Sequence, residues 1–405
     1  MGARLLYLTS RWPDPPGEAF LSNEIRDLSP HFSEIVIIPI DGPVGISENV
    51  RDVPSNVSVR RDIRDSVLNQ WNNTGMMGRL CLGLKHPFWT ISDGLKGRPF
   101  SMRRSIGEMG QANLFSKTIR NNLDLREFSA VATFWLSRTA TICALLKNYY
   151  PHLVAFSRAH GMDIYAQRSG LNRLPLQAGT VRRLDGVRAD SNKGVRHLQQ
   201  THSQANNIAI GRLGVDDQQP INGSTDGILR ILSVSSIIGV KRVNLIAEAL
   251  KKVFRTVHWT HIGDGELRDD LEEIIETLPS NINVELKGWI PNNQLMNWIE
   301  GQRFDLFMNV SSSEGLPVSI MEAFSFGIPA LVTAVGGNPE IVQEGAGILL
   351  AENPSIESIT QNIQNWDETN LQRREVALRI QREEYCSEKN QAEFAREILS
   401  RCVVD

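Results

Sequence analysis

Two glutamates lie eight positions apart in a segment whose local structure suits an anion. Glu314 stands in the loop after a predicted strand, and Glu322 in the helix that follows. Pro317 favours the first helical turn, where its missing N–H has no partner, and Gly327 ends the helix. The helix N-terminus would therefore point backbone N–H groups and a positive dipole end at the loop, as in phosphate sites. Glu322 could accept paired hydrogen bonds from a sugar diol. The alternative is ordinary strand–helix packing with two solvated glutamates.

The segment EGLPVSIMEAFSFGIPALVTAVGG, with its Glu314-x7-Glu322 spacing, resembles the signature of the retaining glycosyltransferase family 4, which has the GT-B fold. The resemblance implies transfer of a sugar from a nucleoside-diphosphate sugar to a glycan or lipid-linked saccharide, as in bacterial exopolysaccharide synthesis. It implies that Glu314 faces the donor sugar and that Glu322 holds the ribose hydroxyls. Gly315 and Leu316 would offer backbone N–H groups, and Pro317 would complete this donor-binding loop.

A second segment, ILSVSSIIGVKRVNLIAEAL, resembles the strand, loop and helix that bind the donor diphosphate in that family. Lys241 matches the family's lysine, and the alternative for it is an ordinary lysine at a helix start. Ser236 stands where the family has an arginine, which is a departure. Either Arg242 compensates for it, or the diphosphate relies on Lys241 and the helix end.

Two glycine-containing turns add to the donor side. HIGDGELRDDL places Gly263 and Asp264 at a strand end, where the family has a turn near the nucleotide; a plain turn is the alternative. The segment WIPNNQL resembles the family's loop near the nucleobase.

Near the start of the chain, the segment PPGEAFLSNEI resembles the GE-x-FLxNE pattern of exopolysaccharide-type members. Gly17 would let phosphate and acceptor approach, and Glu18 would lie at the lip of the cleft or stabilise a helix start.

The acceptor side is indicated by SRAHGMDIYAQRS, which follows a predicted strand. Family members commonly carry a histidine here, close to the hydroxyls of the donor sugar. A neutral histidine can donate and accept hydrogen bonds, which suits His160 to that role. Arg158 and Asp163 are candidates for acceptor contacts beside it. A lone histidine with a structural duty is the alternative.

Repeated strand–helix units predict an α/β fold with parallel sheets, and 405 residues are too many for one ordinary core. With the resemblance, the expectation is a GT-B architecture of two Rossmann-like domains facing across a cleft. We predict an acceptor-binding domain over 1–215, a nucleotide-sugar domain over 216–385, and a helix over 386–405 that crosses back to the first domain. The polar segment 210–226 is the predicted linker. Residues 41–120 read as polar loops, glycine pairs and a basic stretch, and residues 41–125 contain no recognisable motif.

The composition excludes several classes of protein. No apolar run approaches the ~20 residues of a membrane span, and the N-terminal apolar run is too short for a signal peptide. Four scattered cysteines indicate a reduced, cytoplasmic location and no zinc site. We expect no nucleic-acid partner. No DxD motif stands in a suitable loop, because Asp216-Asp217 falls in the linker, so no essential metal or other cofactor is expected.

Charge is unevenly distributed along the chain. Residues 1–200 hold 26 Lys+Arg against 17 Asp+Glu, and residues 201–405 hold 17 against 29. The segment 87–104 combines aromatic and apolar side chains with cations, a mixture that suits an anionic membrane interface; its members are Phe88, Trp89, Leu95, Lys96, Arg98, Phe100, Arg103 and Arg104. The sequence thus predicts peripheral association with the inner face of a membrane. The alternative is a surface loop that packs on its own domain.

Two other functions stay open. A GT-B sugar-nucleotide epimerase or hydrolase would use the same donor pocket without an acceptor. A degenerate, non-catalytic member would only bind the nucleotide sugar, which the departure at Ser236 favours. Retention of Glu314, Glu322, Lys241 and His160 argues against the second possibility.

Overall fold

The computed structural model describes residues 2–14, 17–18, 20–45, 51–95, 99–170 and 173–402, without the side chains of residues 99–101 and 169. The chain forms two compact units. The first consists of Met1–Arg212 and Ser387–Asp405, and the second of Leu213–Cys386. The sequence-based domain ranges change at 215/216 and 385/386, within a few residues of these positions.

The first unit contains a seven-stranded parallel sheet in the order β3-β2-β1-β4-β5-β6-β7. Its strands are β1 (Arg4–Thr9), β2 (Glu34–Pro39), β3 (Val57–Val59), β4 (Ala130–Thr133), β5 (Val154–Ala159), β6 (Gly186–Ala189) and β7 (Ile208–Ile210). Its first nine helices are α1 (Leu21–Leu28), α2 (Arg61–Asn73), α3 (Met76–Gly83), α4 (Pro87–Gly94), α5 (Pro99–Asn122), α6 (Arg138–Tyr149), α7 (Gly161–Ile164), α8 (Gln177–Val181) and α9 (Asn192–Thr201). The order reverses between β1 and β4, and such a reversal is where open α/β sheets bind ligands.

The second unit contains a six-stranded parallel sheet in the order β10-β9-β8-β11-β12-β13, which reverses between β8 and β11. Its strands are β8 (Leu229–Val234), β9 (Val257–Ile262), β10 (Ile282–Leu286), β11 (Leu306–Asn309), β12 (Ala330–Thr333) and β13 (Gly347–Leu350). Its helices are α10 (Asn244–Leu250), α11 (Arg268–Ile275), α12 (Asn292–Glu300), α13 (Val318–Ser325), α14 (Asn338–Ile341), α15 (Ile356–Gln364) and α16 (Leu371–Glu384). The predicted linker region, between β7 and β8, contains no helix and no named strand.

The last helix, α17 (Ser387–Arg401), belongs to the first unit and packs on α1. Arg158 at the end of β5 is fully buried there. Its guanidinium donates to Glu24 at 3.1 Å and to Gln391 at 2.6 Å, and it stacks over the ring of Phe394. A buried cation with a carboxylate partner is costly to disrupt, so Arg158 fastens α17 to the sheet.

The central strands of both sheets are short apolar runs buried on both faces, as expected where helices cover a parallel sheet. Leu5, Leu6 and Leu8 of β1 have no exposed surface, and Leu306 and Phe307 of β11 have none either. The central strands of both units therefore lie in hydrophobic cores, and their carboxyl ends carry the loops that hold the candidate site residues.

The expectation of polar loops over residues 41–120 is wrong, because α2, α3, α4 and α5 occupy most of this region. Some of the glycines in this region are close contacts between helices. A Cβ at Gly83 would lie 2.4 Å from Ile106, and one at Gly94 would lie 2.4 Å from the sulfur of Met102. Glycine permits this close approach because it has no Cβ. This packing role is visible only once the two helices are seen in contact.

Candidate functional site

Two of the predicted donor-side residues, Lys241 and Glu314, meet at the sheet reversal of the second unit, whereas Gly17 lies in the first unit. Lys241 lies in the loop after β8, and Glu314 lies in the loop after β11. Because β8 and β11 are neighbours in the sheet, the two loops meet, and Lys241 Nζ donates to Glu314 Oε1 at 2.7 Å. Two residues separated by 73 positions thus form an ion pair.

The Glu314 carboxylate is held by more than its lysine. Oε1 also accepts from the Ser311 hydroxyl at 2.6 Å and from the Asn309 amide at 3.1 Å. Glu314 is buried, and hydrogen bonds to a charged group are the stronger kind. These hydrogen bonds therefore fix the position of the Glu314 carboxylate before a ligand binds. Asn309 and Ser311 were not singled out in the sequence, although small polar residues at the end of that strand were the available signal.

A glycine pair supports the loop from Glu314 to Pro317. Gly337 N–H donates to Gly315 O at 2.7 Å. A Cβ at Gly336 would lie 2.0 Å from Glu314 O, and one at Gly337 would lie 2.6 Å from Gly315 O. No larger residue leaves this contact intact. Leu316 is buried beside them, and Pro317 directly precedes Val318, the first residue of α13.

Glu322 is a buried carboxylate on α13. Its Oε1 accepts from the Asn292 amide, the first residue of α12, at 2.6 Å. Burial raises the pKa of Glu322 to about 6, and the hydrogen bond from Asn292 opposes that rise. The carboxyl group is therefore costly to ionise without further donors, which two ligand hydroxyls could supply. Asn292 falls within the WIPNNQL segment, although the sequence did not mark it as the partner of Glu322.

Arg242 is engaged by the protein itself. Its guanidinium donates to the backbone oxygens of Val310 at 2.8 Å, Ser311 at 2.9 Å and Glu352 at 2.9 Å. It thereby ties the β8 loop to the β11 loop. Ser236, where the resemblance expects an arginine, is exposed. This geometry favours the alternative in which Lys241 and the helix end serve the diphosphate.

The turn after β9 requires its glycine. Gly263 has φ +140°, and a Cβ there would lie 1.8 Å from Ser235 O in the β8 loop. Asp264 O accepts from the Ile237 N–H at 3.0 Å, so the two loops are joined by backbone contacts. The Asp264 side chain accepts from Gly265 N–H. Gly263 and Asp264 thus shape the β8 loop in which Lys241 lies.

Between β8 and β11 lies a cavity of about 10 Å³, which is room for roughly one water molecule. Polar side chains of Ser233, Ser235, Lys241, Asn309 and Ser311 contribute to its lining. A cation, hydroxyls and the N-terminus of α13 near one sheet edge suit a phosphate-bearing ligand.

In the first unit, His160 follows β5 and stacks on Phe134, with ring centroids 3.9 Å apart. Both ring nitrogens are buried and have no hydrogen-bond partner among the described residues. Burial lowers the pKa of His160 well below its usual value, and the charge of Arg158 adds to this. The imidazole is therefore neutral, with one ring N–H that can donate and one ring nitrogen that can accept.

Asp163 acts on the backbone around His160. The oxygens of its carboxyl group accept from the His160 N–H and from the Leu136 N–H, the latter at 2.6 Å. Burial raises the pKa of Asp163 to about 8. The side chain joins the loop after β4 to the loop after β5, and it fixes the backbone from which His160 projects.

Glu18 differs from its sequence-based interpretation as a lip residue or a helix-start charge, because it is buried. The carboxylate accepts from the backbone N–H groups of Ser10 at 3.2 Å, Arg11 at 2.5 Å and Trp12 at 2.6 Å, and from Trp135 Nε1 at 2.5 Å. Successive amides commonly bind phosphate; here they hold a side chain of the protein. The β1 and β4 loops are thereby joined where the sheet order reverses.

Gly17, directly before Glu18, has φ +92° and is exposed, and its carbonyl accepts from Arg51 at 2.6 Å. Glu18 itself has φ +53°, a strained conformation for a residue with a side chain.

Among the described residues, no group of three or more His, Cys, Asp or Glu side chains is arranged to hold a metal ion.

Part of the chain is similar in sequence to known glycosyltransferases. Residues 215–382 match the family model described as glycosyl transferases group 1. The chain is 26% identical over 253 residues to the putative colanic acid biosynthesis glycosyltransferase WcaL of Escherichia coli, covering 60% of this chain and 62% of WcaL. The aligned part is therefore less than two thirds of that relative.

A second relative is the UDP-Gal:alpha-D-GlcNAc-diphosphoundecaprenol alpha-1,3-galactosyltransferase of Escherichia coli, 34% identical over 101 residues and 24% of each chain. Among solved structures, the Anabaena protein HepE in complex with UDP superposes with a TM-score of 0.64 at 14% identity, over 98% of this chain and 100% of HepE. The predicted fold class of two parallel-sheet α/β domains is confirmed, and over residues 215–382 the resemblance to group 1 glycosyl transferases is confirmed. The assignment to the retaining family 4 stays a prediction.

Proposed function

We propose that the chain is a glycosyltransferase that moves a sugar from a nucleoside-diphosphate sugar to a hydroxyl of a glycan or lipid-linked saccharide in polysaccharide biosynthesis. The observation that carries this is the pairing of Lys241 with Glu314 at the sheet reversal, inside the region that matches the family model. The names of the relatives support polysaccharide assembly as the setting and a UDP-sugar as the donor.

The roles of the donor-side residues follow from their chemistry. Lys241 supplies a positive charge for the diphosphate, and the N-terminus of α13 adds its dipole. Glu322 accepts hydrogen bonds from the two ribose hydroxyls, which replace the water that burial removed. Glu314 faces the donor sugar, and the backbone N–H groups of Gly315 and Leu316 contact sugar and phosphate.

Our proposal for the chemical step is retention of anomeric configuration with a hexosyl donor. The acceptor hydroxyl attacks the anomeric carbon on the face from which the diphosphate leaves, and a diphosphate oxygen takes the hydroxyl proton. The anomeric C–O bond breaks as the new one forms, so the ring carries positive charge in the transition state. Lys241 and the α13 N-terminus stabilise the leaving diphosphate. His160 binds a hydroxyl of the donor sugar as a neutral imidazole.

The test is product analysis with UDP-, GDP- and ADP-linked hexoses, with and without glycan and lipid-linked acceptors. Transfer that needs both substrates supports the proposal, and Glu314→Gln should lower turnover with little change in UDP affinity. Glu344→Gln, an exposed carboxylate near the end of α14, is the matched control. Turnover of donor alone would indicate a hydrolase or epimerase, and binding without turnover a non-catalytic module.

We also propose peripheral association of the first unit with an anionic membrane. Phe88 and Leu95, on α4 and directly after it, are 91% and 73% exposed, and Met76 and Met77 on α3 are exposed as well. Arg103 and Arg104 on α5 are exposed cations. Apolar tips beside cations suit an interface with anionic lipid. None of the described helices is long and apolar enough to cross a bilayer.

The structure alters the composition of this predicted membrane segment. Trp89 is buried and donates from Nε1 to Leu176 O at 3.3 Å, so it is not an interfacial aromatic. Lys96, Arg98 and the side chain of Phe100 lie outside the described residues. The apolar side chains of α3 and α4 therefore carry the membrane proposal.

A further inference from the structure

The first unit contains a cavity of about 230 Å³ that the donor-side assignment does not use. It lies at the carboxyl edge of the sheet, because the loops after β4 and β5 supply part of its wall. Helix α5, the start of α6 and the segment before α8 supply the rest. Its lining includes Arg104, Glu108, Trp135, Arg138, Met162 and Leu174.

The chemistry of the lining is mixed in a way that suits a sugar ring. Trp135, Met162 and Leu174 offer apolar surface, and Glu108 offers a carboxylate. Arg138 donates to Glu108 at 2.8 and 3.2 Å, which fixes that carboxylate in the wall. Sugar rings present C–H faces and hydroxyl edges, so apolar surface beside fixed charged acceptors and donors matches both.

Arg104 is the lining residue whose side chain is available to a ligand. Its side chain is exposed, and no hydrogen bond or ion pair to another side chain is formed by it within the described part of the chain. A guanidinium has five N–H donors and no acceptor. Arg104 can therefore donate to ligand hydroxyls without breaking an existing contact.

The size of the cavity limits its occupant. Pockets for drug-sized ligands measure about 300–1,000 Å³, and this one is smaller. It fits one sugar ring, and an oligosaccharide would have to extend beyond it.

Hydrogen bonds within the protein hold the walls of the cavity in place before a ligand binds. Glu18 holds Trp135 by its indole N–H, and Asp163 joins the loops after β4 and β5. Asp93 of α4 accepts from Leu176 N–H at 2.9 Å, which secures the segment before α8. Fixing the lining in advance reduces the entropy lost on binding.

We propose that this cavity binds a single terminal sugar ring of the acceptor, with Arg104 and Glu108 contacting its hydroxyls. The inference rests on the proposed function and assigns the acceptor's end group to named residues of the first unit.

The experiment uses the full chain, UDP-hexose donors and a panel of p-nitrophenyl glycosides as soluble acceptors, so that membrane binding plays no part. Arg104→Ala should raise the acceptor KM about tenfold or more, because charged hydrogen bonds are lost. The donor KM and UDP affinity should stay within twofold of wild type. Lys117→Ala, which removes an exposed cation of α5 that does not line the cavity, should change neither.

A variant with a larger side chain in the cavity lining provides a second measurement. Met162→Trp replaces a half-exposed side chain with a larger one, and should abolish glycoside binding seen by saturation-transfer NMR while UDP still binds. Unchanged acceptor KM in Arg104→Ala and retained glycoside binding in Met162→Trp would overturn the proposal. A wild-type protein that binds UDP but neither binds nor glycosylates any glycoside would also count against the cavity. Failure to bind any nucleotide would instead refute the proposed function.

Discussion

Glu18 Oε1 accepts a 2.5 Å hydrogen bond from the indole Nε1 of Trp135, across 117 positions of sequence. The contact spans the reversal of the first sheet between β1 and β4, and the other donors to Glu18 are three successive backbone N–H groups. One buried carboxylate thus organises two loops at the position where α/β sheets bind ligands.

Replacement of this carboxylate should destabilise the protein. Glu18→Ala leaves buried N–H donors without a partner, and each hydrogen bond to a charged group contributes about 1.5–3 kcal/mol. We expect the free energy of unfolding to fall by about 3 kcal/mol in urea denaturation. Glu127→Ala, which removes a largely exposed carboxylate with a surface ion pair, should cost less than about 1 kcal/mol. Equal effects of the two changes would contradict the role of Glu18.

Nucleotide binding should depend on the ionisation of Glu322, whose pKa burial raises to about 6. Only the carboxylate accepts from both ribose hydroxyls, so UDP affinity should weaken as the pH falls through about 6. Glu322→Gln should bind UDP at least tenfold more weakly at pH 7.5 and should lose this pH dependence. Isothermal titration between pH 5 and 8 measures both; an unchanged affinity would exclude the ribose role.

The same shift has a consequence for stability. An unfolded glutamate ionises near 4.5, so between pH 4.5 and 6 the folded state holds a proton that the unfolded state has lost. The cost of ionising Glu322 therefore accumulates as the pH rises through this window, to about 2 kcal/mol. Ligand-free Glu322→Gln should then be more stable than wild type at pH 7.5 and should match it below pH 4.5.

Lys241 should act on the diphosphate and not on the nucleoside. Lys241→Ala should weaken UDP binding by about tenfold, because a charge-assisted contact is lost, and should leave uridine binding unchanged. Lys251→Ala, which removes a partly exposed lysine with a local ion pair, is the matched control. Equal weakening of UDP and uridine by Lys241→Ala would indicate a general disturbance of the site.

Sugar transfer should not require a divalent metal. The absence of a DxD motif in a suitable loop of the sequence motivates this expectation, and Lys241 with the α13 N-terminus supplies positive charge for the leaving group. Dialysis against EDTA should leave the transfer rate unchanged. Loss of activity that Mg²⁺ or Mn²⁺ restores would refute the prediction.

Membrane association should depend on the apolar side chains of α3 and α4. A triple Met76→Ser, Phe88→Ser and Leu95→Ser variant should sediment less with liposomes that contain anionic lipid, and wild-type binding should fall at high salt. Phe254→Ser, at an 89% exposed phenylalanine of the second unit, should sediment like wild type. Wild-type protein that stays in the supernatant at low salt would refute the association.

The sequence by itself determined the features whose causes are local. A strand end, Glu314, Pro317 and Gly327 lie within about twenty residues, and helix starts and stops depend on such short-range chemistry. The alternation of strands and helices likewise predicted two parallel-sheet domains, since parallel strands need crossover connections. The family resemblance could be recognised for the same reason, because its signature is one continuous segment.

Only the tertiary structure decided which distant residues meet. Three contacts join separate loops or helices: the ion pair of Lys241 with Glu314, the hydrogen bond of Asn292 to Glu322 and the contact of Glu18 with Trp135. These elements meet because of strand order and helix packing, which no local pattern encodes. The helices of residues 61–122 were missed for that reason: glycines that fit one helix against another have the same local signature as glycines in loops.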